Sequence, residues 1–121
     1  MLGIQSVRPF IGSKDFETSR AFYRDLGFEE HLLQEGFAVY HYGGTSFYLQ
    51  KYYVKEWLEN TMLFFVVQDV YDCYTKLKEM QLDQKYPGVK IMPIREEDWG
   101  TEIHMLDPAG VLLHFGNFKA K

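Results

Sequence analysis

The sequence predicts an α+β fold built from two copies of a strand-helix-strand-strand-strand unit, with the strands forming a cupped mixed sheet and the helices on its outer face. Three observations predict it. Two stretches carry apolar residues at helical spacing, and each follows an Asp suited to cap a helix, Asp15 and Asp69. Each stretch is preceded by one run suited to a strand and followed by three. Each unit then closes on a hairpin whose turn carries a Gly, Gly44 and Gly110. The copies span about residues 1–56 and 57–121 and are read as two modules of a single domain.

In the first copy, residues 4–11 read as a strand, placed at an edge because Pro9 has no N–H to give a ladder. Phe16, Ser19, Phe22, Tyr23 and Leu26 form the helical stripe, and Gly27 suits the position that ends a helix. Residues 28–33, 37–42 and 46–53 read as strands, with Gly43-Gly44 as a hairpin turn between the last two. Residues 54–60 read as a polar connection. In the second copy, residues 62–67 read as a strand, and Val70, Cys73, Tyr74, Leu77 and Met80 carry the next stripe. Gln81-Leu82 stands where the first copy has Gly-Phe. Pro87-Gly88 is a turn, residues 90–94 a strand and residues 95–98 a charged loop. Residues 103–106 and 111–115 form the last hairpin around Asp107-Pro108-Ala109-Gly110, in which the Asp carboxylate can accept from the backbone just ahead. Residues 119–121 are expected to fray.

Composition narrows the class. The 121 residues suffice for one core, and the aromatic share of 17%, with 9 Tyr and 10 Phe, exceeds what a core alone requires. A net charge of -4 argues against non-specific nucleic-acid binding. No apolar run has the length of a bilayer span, and the first residues lack the layout of a signal peptide. With Cys73 as the single cysteine there is no internal disulfide and no cysteine metal framework. A cytoplasmic soluble protein is expected. No phosphate-binding Gly loop, His-Glu-x-x-His or nucleophile elbow occurs.

The internal repeat marks a site. Seven residues before the two Asp lie Arg8 and Met62, and four residues after the two Gly lie Tyr48 and His114. Side chains alternate across a strand. With Phe47, Leu49, Val111, Leu113 and Phe115 under the helices, Tyr48 and His114 face into the cup. Arg8, Tyr48, Met62 and His114 are expected to converge there, although a one-residue slip would reverse each face.

At this point the chain resembles the glyoxalase/bleomycin-resistance/extradiol-dioxygenase family, which has the vicinal oxygen chelate fold. The resemblance rests on Asp15-Phe16-Glu17-Thr18-Ser19-Arg20-Ala21-Phe22-Tyr23-Arg24-Asp25-Leu26-Gly27-Phe28, on Trp99-Gly100-Thr101-Glu102, and on Asp107-Pro108-Ala109-Gly110 leading to His114-Phe115. It implies paired βαβββ modules, a homodimer that either does or does not swap modules, and, in the family's enzymes, a divalent metal on His, Gln or Glu at the four inward positions. Here only His114 is a suitable ligand, because Arg keeps its proton and Met is a soft donor. The ending is most similar to the bleomycin-resistance branch, whose proteins sequester a drug without chemistry.

The expectation is therefore a metal-free protein with no catalytic residue and no cofactor, holding an aromatic drug-like or metabolite ligand in a dimer groove. The ligand-binding residues are Arg8, Tyr40, Tyr48, Met62, Trp99, Glu102, His104 and His114. Tyr40, Tyr42 and Tyr48 would line the cup, and Trp99 would be either a lid or a hydrophobic plug. Arg8 would either pair with Glu102 or meet an anionic or carbonyl group of the ligand. His104 faces the cup if Ile103 and Met105 point away from it. The alternative is a divalent-metal-dependent enzyme of the glyoxalase or dioxygenase type, and a third reading is an interaction module without a small ligand.

Overall fold

A computed structural model describes residues 1–120. The chain runs β1 (Phe10–Ile11), α1 (Phe16–Leu26), β2 (Glu29–Gln34), β3 (Phe37–Tyr42), β4 (Thr45–Gln50), α2 (Lys55–Glu59), β5 (Met62–Val66), α3 (Val70–Met80), α4 (Leu82–Lys85), β6 (Lys90–Ile91), β7 (Arg95–Glu97), β8 (Gly100–Leu106) and β9 (Leu112–Phe118).

Both long helices start on the expected Asp. The Asp15 carboxylate accepts from the Thr18 N–H, and that of Asp69 from the N–H groups of Tyr71 and Asp72, so each satisfies donors that an uncapped first turn would strand. Their exits differ. Gly27 takes the left-handed conformation (φ 113°), which costs Gly nothing, whereas Gln81 is held at φ 54°. Among the described residues Gln81 is the one non-Gly residue with positive φ. The chain then winds at once into α4, a turn of helix the sequence reading did not anticipate.

The strands form two mixed sheets. The first has the order β1-β4-β3-β2 and the second β5-β9-β8-β6, with β7 also on β8. In each, the strand before the long helix pairs parallel with the module's last strand, β1 with β4 and β5 with β9. The helices cover one face of each sheet. Phe22, Tyr23 and Leu26 of α1 and Val70 and Leu77 of α3 are buried with Phe47, Leu49, Ile103, Met105, Val111, Leu113 and Phe115. This is the face the sequence assigns to the core. The closing turn behaves as its chemistry requires: Asp107 Oδ1 accepts from the N–H groups of Ala109 (2.8 Å) and Val111 (2.9 Å). Its other oxygen accepts from the buried Tyr23 hydroxyl at 2.7 Å, which ties α1 to the last hairpin.

Several boundaries depart from expectation. Only Phe10 and Ile11 of the 4–11 run pair, and residues 1–9 are exposed. Residues 55–59, read as connection, form α2. Arg95–Glu97, read as loop, is β7 and pairs with Gly100, Thr101 and Glu102. Pro93 separates β6 from β7, since it has no N–H for the ladder. Lys119 donates its N–H to the Trp99 carbonyl, so fraying does not extend to it, and Lys121 lies outside the described residues. No helix among them is long and apolar enough to cross a membrane.

Candidate functional site

The inner face of the second sheet is set by the pairing of β8 with β9. His104 lies opposite His114 and Glu102 opposite Gly116, while Ile103, Met105, Leu113 and Phe115 take the core face. The two imidazoles meet edge to face with centroids 4.5 Å apart. Between them Glu102 Oε1 lies 2.7 Å from His114 Nδ1 and 3.0 Å from His104 Nε2. The second approach is close but not in line, and the buried His104 Nε2 makes no hydrogen bond. Burial pushes the Glu102 carboxyl upward, but its contacts with His114 and His104 outweigh that and hold it below the usual carboxylate range. Gly116 makes room for the cluster: a Cβ there would lie 2.7 Å from the Phe64 ring and 3.2 Å from Glu102 Cβ.

An aromatic array borders the triad. β5 alternates, so Met62 and Phe64 face inward beside β9. Met62 Sδ lies 3.4 Å from His114 Nε2. Phe64 stacks on His114 (5.6 Å, 18°) and on Phe118 (5.7 Å, 20°), and Trp99 leans on Phe64 and Phe118. Met62, Phe64, Trp99 and Phe118 are 61%, 40%, 38% and 60% exposed, so this surface is open to a ligand.

The first sheet carries different chemistry. Arg8 Nη1 donates to the Tyr48 hydroxyl at 3.3 Å, with its guanidinium 5.8 Å from the ring centroid. Tyr48 packs on Phe10 and Phe37. His31 and His41 lie nearby with centroids 5.6 Å apart, His31 against Glu29 and His41 against the Ser46 hydroxyl. A cleft of about 990 Å³ borders both modules, with Arg8, Tyr42 and Ser46 on one side and Phe64, Val66 and Asp72 on the other.

The four positions from the repeat thus come together as two pairs, Arg8 with Tyr48 and Met62 with His114, on sheets that share no strand pairing. Tyr40 does not line the cup. It lies opposite Phe47, shares the core face and is fully buried, with its hydroxyl 2.6 Å from Glu30 Oε2. Tyr42 shares that phase. Arg8 does not pair with Glu102: it is exposed and needs no buried counter-charge, while Glu102 is engaged by two histidines. Nor is His114 the one plausible ligand, since the hairpin register sets His104 and Glu102 beside it. Sequence reasoning missed Phe64, Phe118, His31 and His41. Alternation from Met62 on a single strand would have found Phe64.

A divalent ion at the four inward positions, which the resemblance implies for enzymes, does not suit the donors present. The Arg8 guanidinium offers no lone pair, and Met62 gives a soft sulfur beside a single imidazole.

Paired modules with cupped mixed sheets, helices outside and an inward-facing hairpin define the glyoxalase/bleomycin-resistance fold class, and the chain has that fold. Among the solved structures similar to it are a bleomycin-binding protein complexed with bleomycin (TM-score 0.79, 21% identity, covering 96% of this chain and 100% of the other) and the bleomycin-binding protein of Streptomyces verticillus complexed with copper(II)-bleomycin (0.81, 21%, 98% and 100%). A lactoylglutathione lyase from Agrobacterium tumefaciens is also similar (0.70, 15%, 96% and 99%). Likeness at these identities is a likeness of fold. No family model matches the chain, and no curated protein does.

Proposed function

We infer that the protein binds a small, flat, partly apolar molecule over the inner faces of its sheets, in a groove completed by a second copy of the chain, and that it sequesters this ligand rather than transforming it. The observation that carries the reading is the exposed array of Met62, Phe64, Trp99 and Phe118 beside His114. Flat apolar walls with a few polar tips are what small-molecule sites present. The cleft of about 990 Å³ adds a volume of the right order, and Arg8 on its wall offers a forked donor to an anionic or carbonyl group. The shared fold with two bleomycin-binding proteins supports the same reading. Under it, Arg8, Tyr48, Met62, Trp99 and His114 contact the ligand.

The glyoxalase- or dioxygenase-type alternative has the lyase neighbour in its favour. It lacks suitable donors at the four inward positions, and we give it second place.

Tryptophan emission tests the reading. A panel of planar aromatic compounds, bleomycin included, is expected to yield at least one that quenches it. Trp99→Phe should abolish the response, and Trp57→Phe, on α2, should leave it intact. An unchanged emission across the panel would overturn the reading. A mass near 14.3 kDa at micromolar concentration would contradict the two-copy groove.

A further inference from the structure

We propose that Glu102, His104 and His114 form a binding site for one divalent transition-metal ion of the zinc, cobalt or nickel kind, which shares only His114 with the four inward positions of the repeat. The site stands independently of the small-molecule reading. One ligand atom from each of the three residues lies within 4.8 Å of the others, and among the described residues no other histidine, cysteine and carboxylate group is so arranged.

The distances suit an ion after a small adjustment. Such ions hold imidazole nitrogen at about 2.0–2.1 Å and carboxylate oxygen at about 2.0–2.2 Å, so ligand atoms around a tetrahedral centre sit roughly 3.3–3.5 Å apart. Glu102 Oε1 now lies 3.0 Å from His104 Nε2 and 2.7 Å from His114 Nδ1. Opening these contacts by about half an ångström, with the two imidazole nitrogens, which lie within 4.8 Å of each other, brought to the same spacing, admits the ion.

The backbone holds the three groups in place. His104 and His114 are a cross-strand pair inside two seven-residue strands, and Glu102 is two residues from His104 on the same face. Sites on paired strands keep their geometry better than sites on loops. His104 Nε2 supplies an independent indication: it is buried, it has no hydrogen-bond partner, and a cation would engage its lone pair.

The donor set selects the ion. Two imidazoles and one carboxylate favour zinc-like metals, whereas magnesium and calcium require mostly oxygen. Met62 stays outside the set, because its sulfur approaches Nε2 of His114, the nitrogen turned away from Glu102. The fourth position is left to solvent or to a donor atom of a bound molecule.

Cobalt(II) titrated into the chelator-treated full-length chain tests this, read by visible absorption and by melting temperature. One equivalent should produce the intense bands of a four-coordinate centre and raise the melting temperature, with magnesium(II) unable to compete. His104→Gln and Glu102→Gln should weaken binding by more than about 100-fold, while His31→Gln and His41→Gln, on the first sheet, leave it unchanged. Absence of the bands would overturn the proposal. So would binding retained in His104→Gln, or lost in His31→Gln or His41→Gln, which would put the ion on the first sheet. Circular dichroism checks each fold, and if Glu102→Gln does not fold, His104→Gln alone decides.

Discussion

In the first module the half-buried carboxylate is Glu30. Arg20 grips it with two bonds of 2.8 and 3.0 Å, Arg24 lies at 3.2 Å, and the Tyr40 hydroxyl donates at 2.6 Å. In the second module the carboxylate buried on the inner face is Glu102, and its partners are His104 and His114. The two differ in whether the partner can give up its charge. Arginine stays protonated at any accessible pH, so Glu30 is permanently neutralised and serves stability. An imidazole can present a nitrogen lone pair, which a guanidinium never does, so the Glu102 cluster has donor atoms that the Glu30 cluster lacks. Similar folding of the two copies has produced a brace in one and a cluster of donor atoms in the other.

The largest expected effect lies with the brace. Glu30→Ala leaves the buried Tyr40 hydroxyl without its partner and Arg20 with only the exposed Glu17, and should cost about 3 kcal/mol in denaturant unfolding. Its pH dependence has a definite sign. Arg20 first, then the Tyr40 hydroxyl and the Arg24 charge, outweigh desolvation and hold the Glu30 carboxyl at about 2, below its ordinary value of 4.5. Its contribution should therefore be complete above about pH 4.5 and disappear as pH falls through about 2, and Glu30→Ala should flatten that limb of the stability curve. Identical acid limbs in wild type and variant would break the comparison. Glu102→Gln is expected to cost less, about 1–2 kcal/mol, because an amide still bonds one imidazole. If it costs as much as Glu30→Ala, the second carboxylate is a brace as well.

The helix exits allow a smaller test. Gln81→Gly removes the left-handed strain that Gly27 avoids in the first module, and should raise stability by about 1 kcal/mol. A loss instead would mean that the Gln81 side chain supports the turn into α4. Arg8→Ala should change stability by less than about 0.5 kcal/mol, since Arg8 is exposed. It should still weaken binding of anionic aromatic ligands, as titration calorimetry would show.

Legibility followed the range of the interaction that decides each feature. Both long helices and their caps were readable because spacing and capping are local: Asp15 and Asp69 act within three residues. The face of Tyr40 was also within reach. A two-residue turn at Gly43-Gly44 sets Tyr42 opposite Thr45 and hence Tyr40 opposite Phe47, which was already assigned to the core. The meeting of Glu102, His104 and His114 was harder to foresee. Leu106 and Leu112 flank a five-residue connection, and no simple turn rule fixes the register across it. The hairpin residues were identified, but their mutual alignment depends on how Asp107 folds the turn around its own carboxylate. The pairing of Arg8 with Glu102, one of the two alternatives for Arg8, presupposes a buried strand, whereas the strand pairs only from Phe10 onward and leaves Arg8 exposed beside Tyr48.

The bond from the Tyr23 hydroxyl to Asp107 has a consequence for how the chain comes apart. It joins the first helix to the last hairpin across 84 positions of sequence, and both partners are buried. Loosening either module strands a carboxylate or a hydroxyl in an apolar interior, which costs about 1–3 kcal/mol and more if the group is charged. Melting of one half therefore penalises survival of the other. The two repeats are expected to lose their structure in a single concerted transition, although each has its own sheet, and fluorescence and circular dichroism should trace one coincident unfolding curve.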